Sequence, residues 1–225
     1  MMDIVIPYLQ TSSDELRYAL RSIEQNVEHD RVFIIGDRPG WIKNVEYIPY
    51  HQAYRRYHNV RNIMQLACDN PDISDDFIFT NDDIFIMKPT KHFNYHRGTI
   101  EEVAEYFSGR YKTNLLRTKE LLEKLGYKDT LCYELHIPTI LNKQKKEKAS
   151  LIRKKHIPEN QNIQLRTLYG NLYNLGGRKI KDVKVYDNQQ KIPRGHFIST
   201  SELTFQGKVG DHIKAHFPNK SRFER

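Results

Sequence analysis

The segment FIFTNDDIFI, residues Phe77 to Ile86, joins an aromatic and β-branched run to an Asn-Asp-Asp turn. Such a run predicts a strand with a buried interior from Asp76 to Thr80, and this strand leads directly into Asn81, Asp82 and Asp83. In open α/β sheets, ligands bind outside the carboxyl ends of the strands. The acidic pair therefore stands where such a sheet would place a ligand.

Segments typical of strands and helices alternate before this point. Strands are predicted at Asp3 to Tyr8, Arg31 to Gly36 and Val45 to Ile48. A helix is expected after the first strand, with Ser12 or Ser13 as its N-cap, and another helix after the third. Alternation of this kind favours an α/β fold with a mostly parallel sheet flanked by helices.

The second half of the chain is mostly helical in pattern and rich in charge. Helices are predicted at residues 100–126, 137–155, about 162–175 and about 209–216, with short strands at 183–186 and 196–199. The run from Lys143 to Lys155 holds seven Lys or Arg residues in 13. Such a run is usually a solvated helix face, and the alternative is contact with an anionic surface.

Composition restricts the partners of the chain without choosing one. The 225 residues carry a formal net charge of +8, which favours an anionic partner such as a nucleotide diphosphate, an anionic glycan, a membrane surface or nucleic acid. The cysteines, Cys68 and Cys132, lack metal-ligand spacing and favour a reduced protein, a single disulfide being the alternative. No apolar run approaches the roughly 20 residues of a membrane span, and the N-terminus has no secretory pattern. We therefore expect a cytoplasmic protein.

The adjacent carboxylates of Asp82 and Asp83 repel each other and need compensation. A hard divalent ion such as Mg²⁺ or Mn²⁺, bound through oxygen ligands and bridging a diphosphate, supplies that compensation. It would also neutralise charge on a departing nucleotide diphosphate. The alternative is a polar turn that binds nothing, since Asp is common in turns.

Five segments, taken in order, resemble the Stealth family of sugar-phosphate transferases. They are DELRYALRSIE at Asp14 to Glu24, GDRPGW at Gly36 to Trp41, the FIFTNDDIFI segment, YELHIP at Tyr133 to Pro138 and HFPNKSRFE at His216 to Glu224. Members of that family transfer a hexose 1-phosphate from a nucleotide sugar, and their fold is similar to that of the GT-A glycosyltransferases. The resemblance therefore implies a GT-A-like, Rossmann-like sheet, a nucleotide-sugar donor and a divalent metal.

The chain departs from the family pattern in two places. It has IPYLQTSSD after the first strand, where the family usually carries Trp-Val-Asp-Gly, and Ser201-Glu202 where an Asn-Asp pair is common. Sugar transfer and sugar-phosphate transfer therefore both stay open, as does the acceptor. We predict one GT-A-like domain over residues 1–225, with a nucleotide-sugar-binding half at about 1–90 and a mostly helical, acceptor-side half at about 91–225.

The donor-site candidates come from the predicted strand ends and the first helix. Asp82 and Asp83 are the expected metal ligands. Arg17 and Arg21, four apart on one helix face, are expected to contact a donor phosphate, the alternative being a solvated face. Asp37 follows the second strand and could bond a uridine or ribose, so a UDP-sugar is the expected donor; the alternative is an ordinary turn Asp. Further donor-site candidates are Asn81 and Asn59.

The catalytic candidates lie mainly in the YELHIP segment. His136 is a candidate metal ligand or general base for an acceptor hydroxyl, and Glu134 could orient it or act as the base itself. Asp82 is also counted as catalytic, and Glu202 is a candidate second carboxylate. The basic segment HQAYRRYHNVRN, from His51 to Asn62, could line an anionic acceptor groove or form a polar loop before a helix. Its polar, substrate-facing candidates are His51, His58 and Asn59.

The predicted function is metal-dependent transfer of a sugar, or of a sugar 1-phosphate, from a nucleotide sugar to a hydroxyl acceptor. A second interpretation keeps this chemistry and makes the acceptor a nucleic-acid base or a cell-wall polymer. A third interpretation is a non-enzymatic basic binding module in which the Asp pair is structural.

Overall fold

The structure is a computed structural model that describes residues 1–51 and 56–225, with side chains described for residues 1–51 and 58–225. In these residues the strands, in chain order, are β1 (Asp3–Tyr8), β2 (Val32–Gly36), β3 (Glu46–Pro49), β4 (Asp76–Phe79), β5 (Ile84–Ile86), β6 (Tyr95–His96), β7 (Thr139–Asn142), β8 (Arg178–Lys179), β9 (Lys184–Val185) and β10 (Phe197–Thr200). The helices are α1 (Glu15–Asn26), α2 (Arg56–Asp69), α3 (Ile100–Glu105), α4 (Gly109–Lys124), α5 (Lys143–His156), α6 (Leu165–Leu172), α7 (Glu202–Phe205) and α8 (Lys208–His216).

The main sheet has the strand order β3-β2-β1-β4-β7, in which the first four strands are parallel and β7 is antiparallel to β4. Its central strands are continuous apolar runs because both faces are covered. Ile4, Ile6 and Ile34 are fully buried there, as are Phe77 and Phe79. The predicted α/β class, with a mostly parallel sheet flanked by helices, is confirmed.

A second, smaller sheet continues directly from the acidic segment. Its order is β5-β10-β9, with β10 antiparallel to β5 and parallel to β9. Helices α7 and α8 pack beside it, and the rings of Phe85 and Phe205 stack at 5.6 Å between centroids. Ile198, Val209 and Phe217 belong to the same buried cluster. The last forty residues therefore share a core with the strand that follows Asp83.

The chain divides into two compact units. The first unit comprises Met1–Phe93, His136–Asn142 and Val183–Arg225, and the second comprises Asn94–Leu135 and Lys143–Asp182. The second unit holds helices α3 to α6, around a core that includes Leu115, Leu122 and Leu168. The division into a donor-binding half (about 1–90) and an acceptor-side half (about 91–225) stays a prediction. The two compact units are divided differently, because residues 183–225 belong to the first unit.

The predicted helix over residues 137–155 is wrong in its first part. Thr139–Asn142 is strand β7, and α5 begins only at Lys143. Strand β7 pairs with β4, with Thr139 opposite Phe79. The β-branched residues Thr139 and Ile140 suit a strand. Residues 139–142 are therefore a strand because they pair with β4, about sixty residues earlier in the chain. The spacing of apolar residues within the segment gives no sign of that partner.

The start of α1 differs from the prediction. The helix begins at Glu15, directly after Asp14, and neither Ser12 nor Ser13 caps it. The Ser13 hydroxyl instead donates to the Glu15 carboxylate at 3.1 Å. In the part of the chain that the structure describes, none of the helices has both the length and the hydropathy that crossing a bilayer requires.

Candidate functional site

The acidic pair lies in the turn between β4 and β5, at the carboxyl end of β4. The Thr80 amide still donates to the carbonyl of Val5 in β1, at 3.1 Å. After the turn, the Thr200 amide donates to the carbonyl of Asp83, also at 3.1 Å. The turn is thus held between the main sheet and the small sheet. Asp82 and Asp83 occupy the sheet edge at which α/β folds bind ligands, as the sequence predicts.

Asp83 has one engaged and one unengaged carboxylate oxygen. The Lys184 ammonium approaches Oδ2 to 2.5 Å and also donates to the carbonyl of Thr200. Oδ1 is buried and has no hydrogen-bond partner in the described residues. A buried acceptor without a partner costs roughly 1–3 kcal/mol. Oδ1 is therefore an available ligand for a cation or for a donor group of a substrate.

Asp82 and Glu15 complete an acidic cluster around Asp83. Burial, followed by the charges of Asp83 and Glu15, raises the pKa of Asp82 to about 7. Burial also raises the pKa of Glu15, partly offset by the Thr200 hydroxyl, which donates to its Oε1 at 2.5 Å. Three carboxyl groups face one ammonium, that of Lys184. The excess negative charge favours a positively charged ligand.

The donor set fits a hard divalent cation. Carboxylate oxygens are the ligands that Mg²⁺ prefers, and Mg²⁺ is commonly held by one or two carboxylates together with waters and substrate phosphates. Within the side chains described, those of residues 1–51 and 58–225, no group of three or more His, Cys, Asp or Glu is arranged as a complete metal site. The cluster therefore suits a cation that a phosphate-bearing substrate would help to hold.

Two buried hydroxyls lie in the strand segments that carry this cluster. Thr80 Oγ1 and Ser199 Oγ each lack a hydrogen-bond partner in the described residues. Thr80 precedes the acidic turn, and Ser199 pairs in register with Ile84 and with Lys184. Buried polar atoms are normally satisfied, so a group of unsatisfied ones indicates a place where a ligand or water completes the bonding.

The sequence did not identify Glu15, Lys184 or Thr200 as site residues. Glu15 has the pattern of an ordinary acid in the first turn of a helix, and Lys184 stands between two valines in a short strand. Asp83 and Lys184, which form the ion pair, are 101 positions apart in the sequence. A lysine placed between two valines was the available signal.

Arg21 has a structural role instead of the predicted contact with a donor phosphate. It is buried, and its guanidinium donates to both carboxylate oxygens of Glu224, at 2.7 and 2.9 Å, and to the carbonyl of Phe217 at 2.9 Å. The α1 face that carries it packs against the C-terminal segment. Its donors are engaged, so we correct the prediction for Arg21.

Arg17, one turn earlier, belongs to the same arrangement. It donates to Glu224 at 2.9 Å and to Asp14 at 3.2 Å, and its guanidinium lies 4.2 Å from the centroid of the Trp41 ring. Ion pairing and stacking on Trp41 orient it toward the C-terminus. Nε and Nη1 of Arg17 are therefore engaged within the protein, and its contact with a diphosphate stays a prediction.

Glu224 anchors the C-terminus to α1. Burial alone would raise its pKa, but hydrogen bonds from Arg21, from the Ser221 amide and from Arg17 lower the pKa of Glu224 to about 2. The neighbouring Phe223 carbonyl accepts from the Lys43 amide at 2.9 Å. The HFPNKSRFE segment therefore has a structural explanation in this chain.

We expect this anchor to make the fold sensitive to acid. The pKa of Glu224 falls from 4.5 to about 2 on folding, so its ionised form stabilises the fold above about pH 5, and that contribution is lost as the pH falls toward 2. Urea denaturation of the wild type at a series of pH values measures the loss. Glu224→Gln should show a shallower decline over this range, and an equally steep decline in both proteins would contradict the assignment.

The other donor-site candidates lie in the first unit. Asp37 follows β2; its Oδ2 accepts from the Gln10 amide at 2.8 Å, and its own amide donates to the Tyr8 carbonyl at 3.0 Å. Asn81 is half-buried at the start of the acidic turn. Asn59 is buried in α2, where its Oδ1 lies 3.5 Å from the Tyr50 hydroxyl.

Glu134 and His136 are assigned to different units. Glu134, in the second unit, accepts from the amide and the hydroxyl of Thr167 at 3.0 and 3.1 Å, in the first turn of α6. It thereby satisfies a free amide of a helix N-terminus, and its role as a base or in orienting His136 stays a prediction. His136 comes three residues before Thr139, which pairs with Phe79. The segment carrying His136 thus enters the main sheet at the same edge as Asp82 and Asp83.

The remaining candidates are dispersed. Glu202 is exposed at the start of α7 and accepts from the Ser12 hydroxyl at 3.2 Å. His51 is exposed and His58 is half-buried, whereas residues 52–55 of the HQAYRRYHNVRN segment lie outside the described residues. In the basic run of α5, Arg153 is buried and donates to the carbonyl of Gln161 at 2.8 Å. Part of that run is therefore structural.

Comparison with known proteins identifies the fold. No family model matches the chain, and no curated protein matches it. The galactosyltransferase LgtC, solved in complex with donor and acceptor sugar analogues, is 11% identical, with a TM-score of 0.55 over 98% of both chains. Mouse xyloside xylosyltransferase 1 is 9% identical, with a TM-score of 0.41 over 99% of this chain and 95% of its own. The glycosyltransferase GlyE of Streptococcus pneumoniae TIGR4 is 10% identical, with a TM-score of 0.40 over 79% of this chain and 44% of its own.

The likeness to LgtC shows that the chain has the GT-A fold, as the sequence predicts. At 11% identity the likeness shows the fold alone. The roles of individual residues and the substrates are therefore inferred from the contacts of this chain. Membership of the Stealth family stays a prediction. The first-helix and C-terminal segments of that resemblance meet in the structural contact between Arg21 and Glu224.

Proposed function

We propose that this chain is a glycosyltransferase that moves a sugar from a nucleotide-sugar donor to a hydroxyl group, with Asp82 and Asp83 at the donor site. The main support is the acidic cluster at the carboxyl end of β4, where Asp83 Oδ1 is buried without a hydrogen-bond partner in the described residues and three carboxyl groups lie near the Lys184 ammonium. A negatively charged nucleotide would need a cation to bind beside such a cluster. The GT-A fold is the second support.

Asp82 and Asp83 would hold a Mg²⁺ or Mn²⁺ ion through carboxylate oxygens, Asp83 through its unengaged Oδ1. When bound, the ion would neutralise charge on the departing nucleoside diphosphate. Lys184 would keep Asp83 oriented through its contact with Oδ2. Glu15, held by the Thr200 hydroxyl, would add negative charge behind the cation without binding it.

The remaining donor and acceptor contacts are assigned by position. Asp37 and Asn81 follow β2 and β4, and they would bond the nucleoside of a UDP-sugar. His136, on the segment that enters the same sheet edge, would accept the proton of the acceptor hydroxyl. Glu134, Arg17 and Arg21 are not part of this proposal because each is engaged within the protein.

The net charge of +8 supports an anionic acceptor such as an anionic glycan, a cell-wall polymer or nucleic acid. Transfer of a hexose 1-phosphate is distinguished by its product: sugar transfer releases a nucleoside diphosphate, whereas sugar-phosphate transfer releases a nucleoside monophosphate. A product assay with the same donors therefore separates the two chemistries.

A nucleotide-sugar panel tests the proposal. We expect a UDP-sugar to raise the melting temperature of the protein in Mn²⁺ or Mg²⁺ but not in chelator, because the cation links the acidic cluster to the diphosphate. At a ligand concentration of 100 times Kd, the expected stabilisation is about 2.7 kcal/mol. Slow release of UDP should accompany it. If no nucleotide sugar stabilises the protein in either condition while acidic polymers are still retained, the chain is a basic binding module and the proposal is wrong.

A further inference from the structure

A basic groove lies in the first unit, away from the acidic cluster. It has a volume of about 900 Å³. Its apolar floor is formed by Met87 and Ile198, with Ile192 and Pro193 from the loop before β10. The basic side chains around it are Lys88, Lys191, Arg194, His212 and His216. No acidic residue is among the described residues that line it.

The groove lies at the far end of the small sheet from Asp83. Strand β5 leaves the acidic turn at Ile84 and ends beside Met87, whose amide donates to the His196 carbonyl at 2.8 Å. Strand β10 is antiparallel to β5 and ends at Thr200 near Asp83. The three residues of β5, Ile84–Ile86, lie between the acidic turn and the groove residues Met87 and Lys88, and they rise about 10 Å. The groove is therefore separate from the proposed donor site.

The cations of the groove are uncompensated. In the described part of the chain, Lys88, Lys191 and Arg194 form no ion pair, and the Lys88 ammonium donates only to the Arg194 carbonyl, at 3.3 Å. Exposed lysines elsewhere do find carboxylates, as Lys91 does with Glu28 and Lys179 with Glu102. Cations that share one concave surface without a carboxylate repel each other, and a bound anion removes that repulsion.

The walls of the groove are held by buried elements. His212 and His216 are four residues apart on α8, so they share one helix face, and their ring centroids are 6.3 Å apart. Val209 and Ile213, three residues before His212 and His216 respectively, are both fully buried and fix α8 to the core. Gly195 leaves the loop side open, because a Cβ atom there would meet nothing within 4 Å. The groove is thus open to an incoming ligand while α8 keeps its imidazoles in place.

We propose that this groove binds a phosphate-bearing ligand. Arginine and lysine supply charge-assisted hydrogen bonds to phosphate oxygens, and the imidazoles add further N–H donors. The apolar floor accommodates carbon atoms attached to the phosphate. Such a phosphate could belong to a soluble phosphate ester or to a lipid headgroup, and the chemistry of recognition is the same. This inference does not depend on the function of the acidic cluster.

The test compares the double variant Lys191→Gln/Arg194→Gln with a matched control, Lys154→Gln/Lys155→Gln, which removes the same charge from the exposed end of α5. The first probe is inorganic phosphate, with chloride at equal ionic strength as the reference, and binding is measured by calorimetry. The second is sedimentation with phosphatidylcholine vesicles, with and without phosphatidic acid. Circular dichroism and melting temperature verify that each variant is folded.

We expect the groove variant to bind phosphate about tenfold more weakly than the wild type, whereas the control is unchanged. Binding of inorganic phosphate without vesicle binding would identify a soluble phosphate ester. Loss of phosphatidic-acid vesicle binding in the groove variant alone would identify a lipid headgroup. Equal binding by wild type and groove variant in both assays, or no binding by the wild type in either, would overturn the proposal. Asp82→Asn should bind phosphate as the wild type does, which separates this result from any failure of the proposed transferase activity.

Discussion

Replacing Asp82 with Asn is expected to lower sugar-transfer activity by about 100-fold or more and, in chelator, to raise the stability of the protein. The two effects have opposite signs because the Asp82 carboxylate is desolvated beside the charges of Asp83 and Glu15 in a half-buried turn, so the metal-free fold gains nothing from its charge. Disruption of a group that merely supports a metal ligand typically costs 10–100-fold, so loss of a ligand itself should cost at least the upper value.

The stability gain follows from the direction of the pKa shift. The pKa of Asp82 rises from 3.8 to about 7 on folding, so ionisation of this carboxyl destabilises the metal-free fold as the pH rises through that range. Allowing for solvent screening, we expect Asn to raise the free energy of unfolding at pH 8 by about 1 kcal/mol. Urea denaturation in chelator measures the gain, and product release from a UDP-sugar measures the activity.

Asp75→Asn is the matched control for this substitution. Asp75 is exposed just before β4, at the end of that strand remote from the acidic turn, and the same charge is removed. Its activity and metal dependence should equal those of the wild type. Unchanged metal-dependent transfer in Asp82→Asn would remove Asp82 from the donor site, and a loss of stability in chelator would contradict the electrostatic account of the cluster.

Glu224→Gln, which hardly changes the size of the side chain, is expected to lower the free energy of unfolding by about 3 kcal/mol. This is the largest effect on stability that we predict for a single substitution. The substitution leaves the buried Arg21 guanidinium without the carboxylate that accepts from it at 2.7 and 2.9 Å. It also replaces one acceptor oxygen by an NH2 donor, so either the oxygen that accepts from Arg17 or the one that accepts from the Ser221 amide is lost. A buried charge that loses its partner is penalised more than the intact pair was worth.

Glu28→Gln provides the comparison, because Glu28 also pairs with a cation but on the surface. The side chains of Lys91 and Glu28 are 72% and 70% exposed, and such pairs are worth about 0–1 kcal/mol. Chemical denaturation of both variants at neutral pH gives the two values. Equal stability of Glu224→Gln and Glu28→Gln would show that the C-terminus is not anchored through Arg21.

The strands of the main sheet were predictable because their signal is local. β1 was predicted with the bounds that the structure shows, and β2 and β4 within one residue at either end, since each is an apolar run closed by a polar turn. Strand β7 was not predictable from its own residues. Its conformation depends on β4, and Thr139 and Ile140 are also compatible with a helix.

The site was predictable only where it is built from adjacent residues. Asp82 and Asp83 stand together in the sequence, and their position at a strand end followed from the apolar run before them. Lys184 and Glu15 are brought to them by the small sheet and by α1, from 101 residues after Asp83 and 67 residues before Asp82. Ion pairs of such separation leave no periodic pattern in the sequence.

Arg21 of α1 illustrates the opposite error. Two cations four residues apart near a strand end are compatible both with phosphate binding and with a structural ion pair. The deciding residue, Glu224, lies 203 positions from Arg21, in a segment that had suggested a family resemblance. Long-range pairing, not the local pattern, therefore determines what Arg21 does.

A crystal structure of the protein soaked with UDP and Mn²⁺ would show directly whether Asp82 and Asp83 form the donor site. We expect a Mn²⁺ ion coordinated by Asp83 Oδ1 and by Asp82, with the diphosphate completing its coordination and Lys184 still on Asp83 Oδ2. A nucleotide bound elsewhere, with Asp82 and Asp83 coordinating no cation, would contradict it.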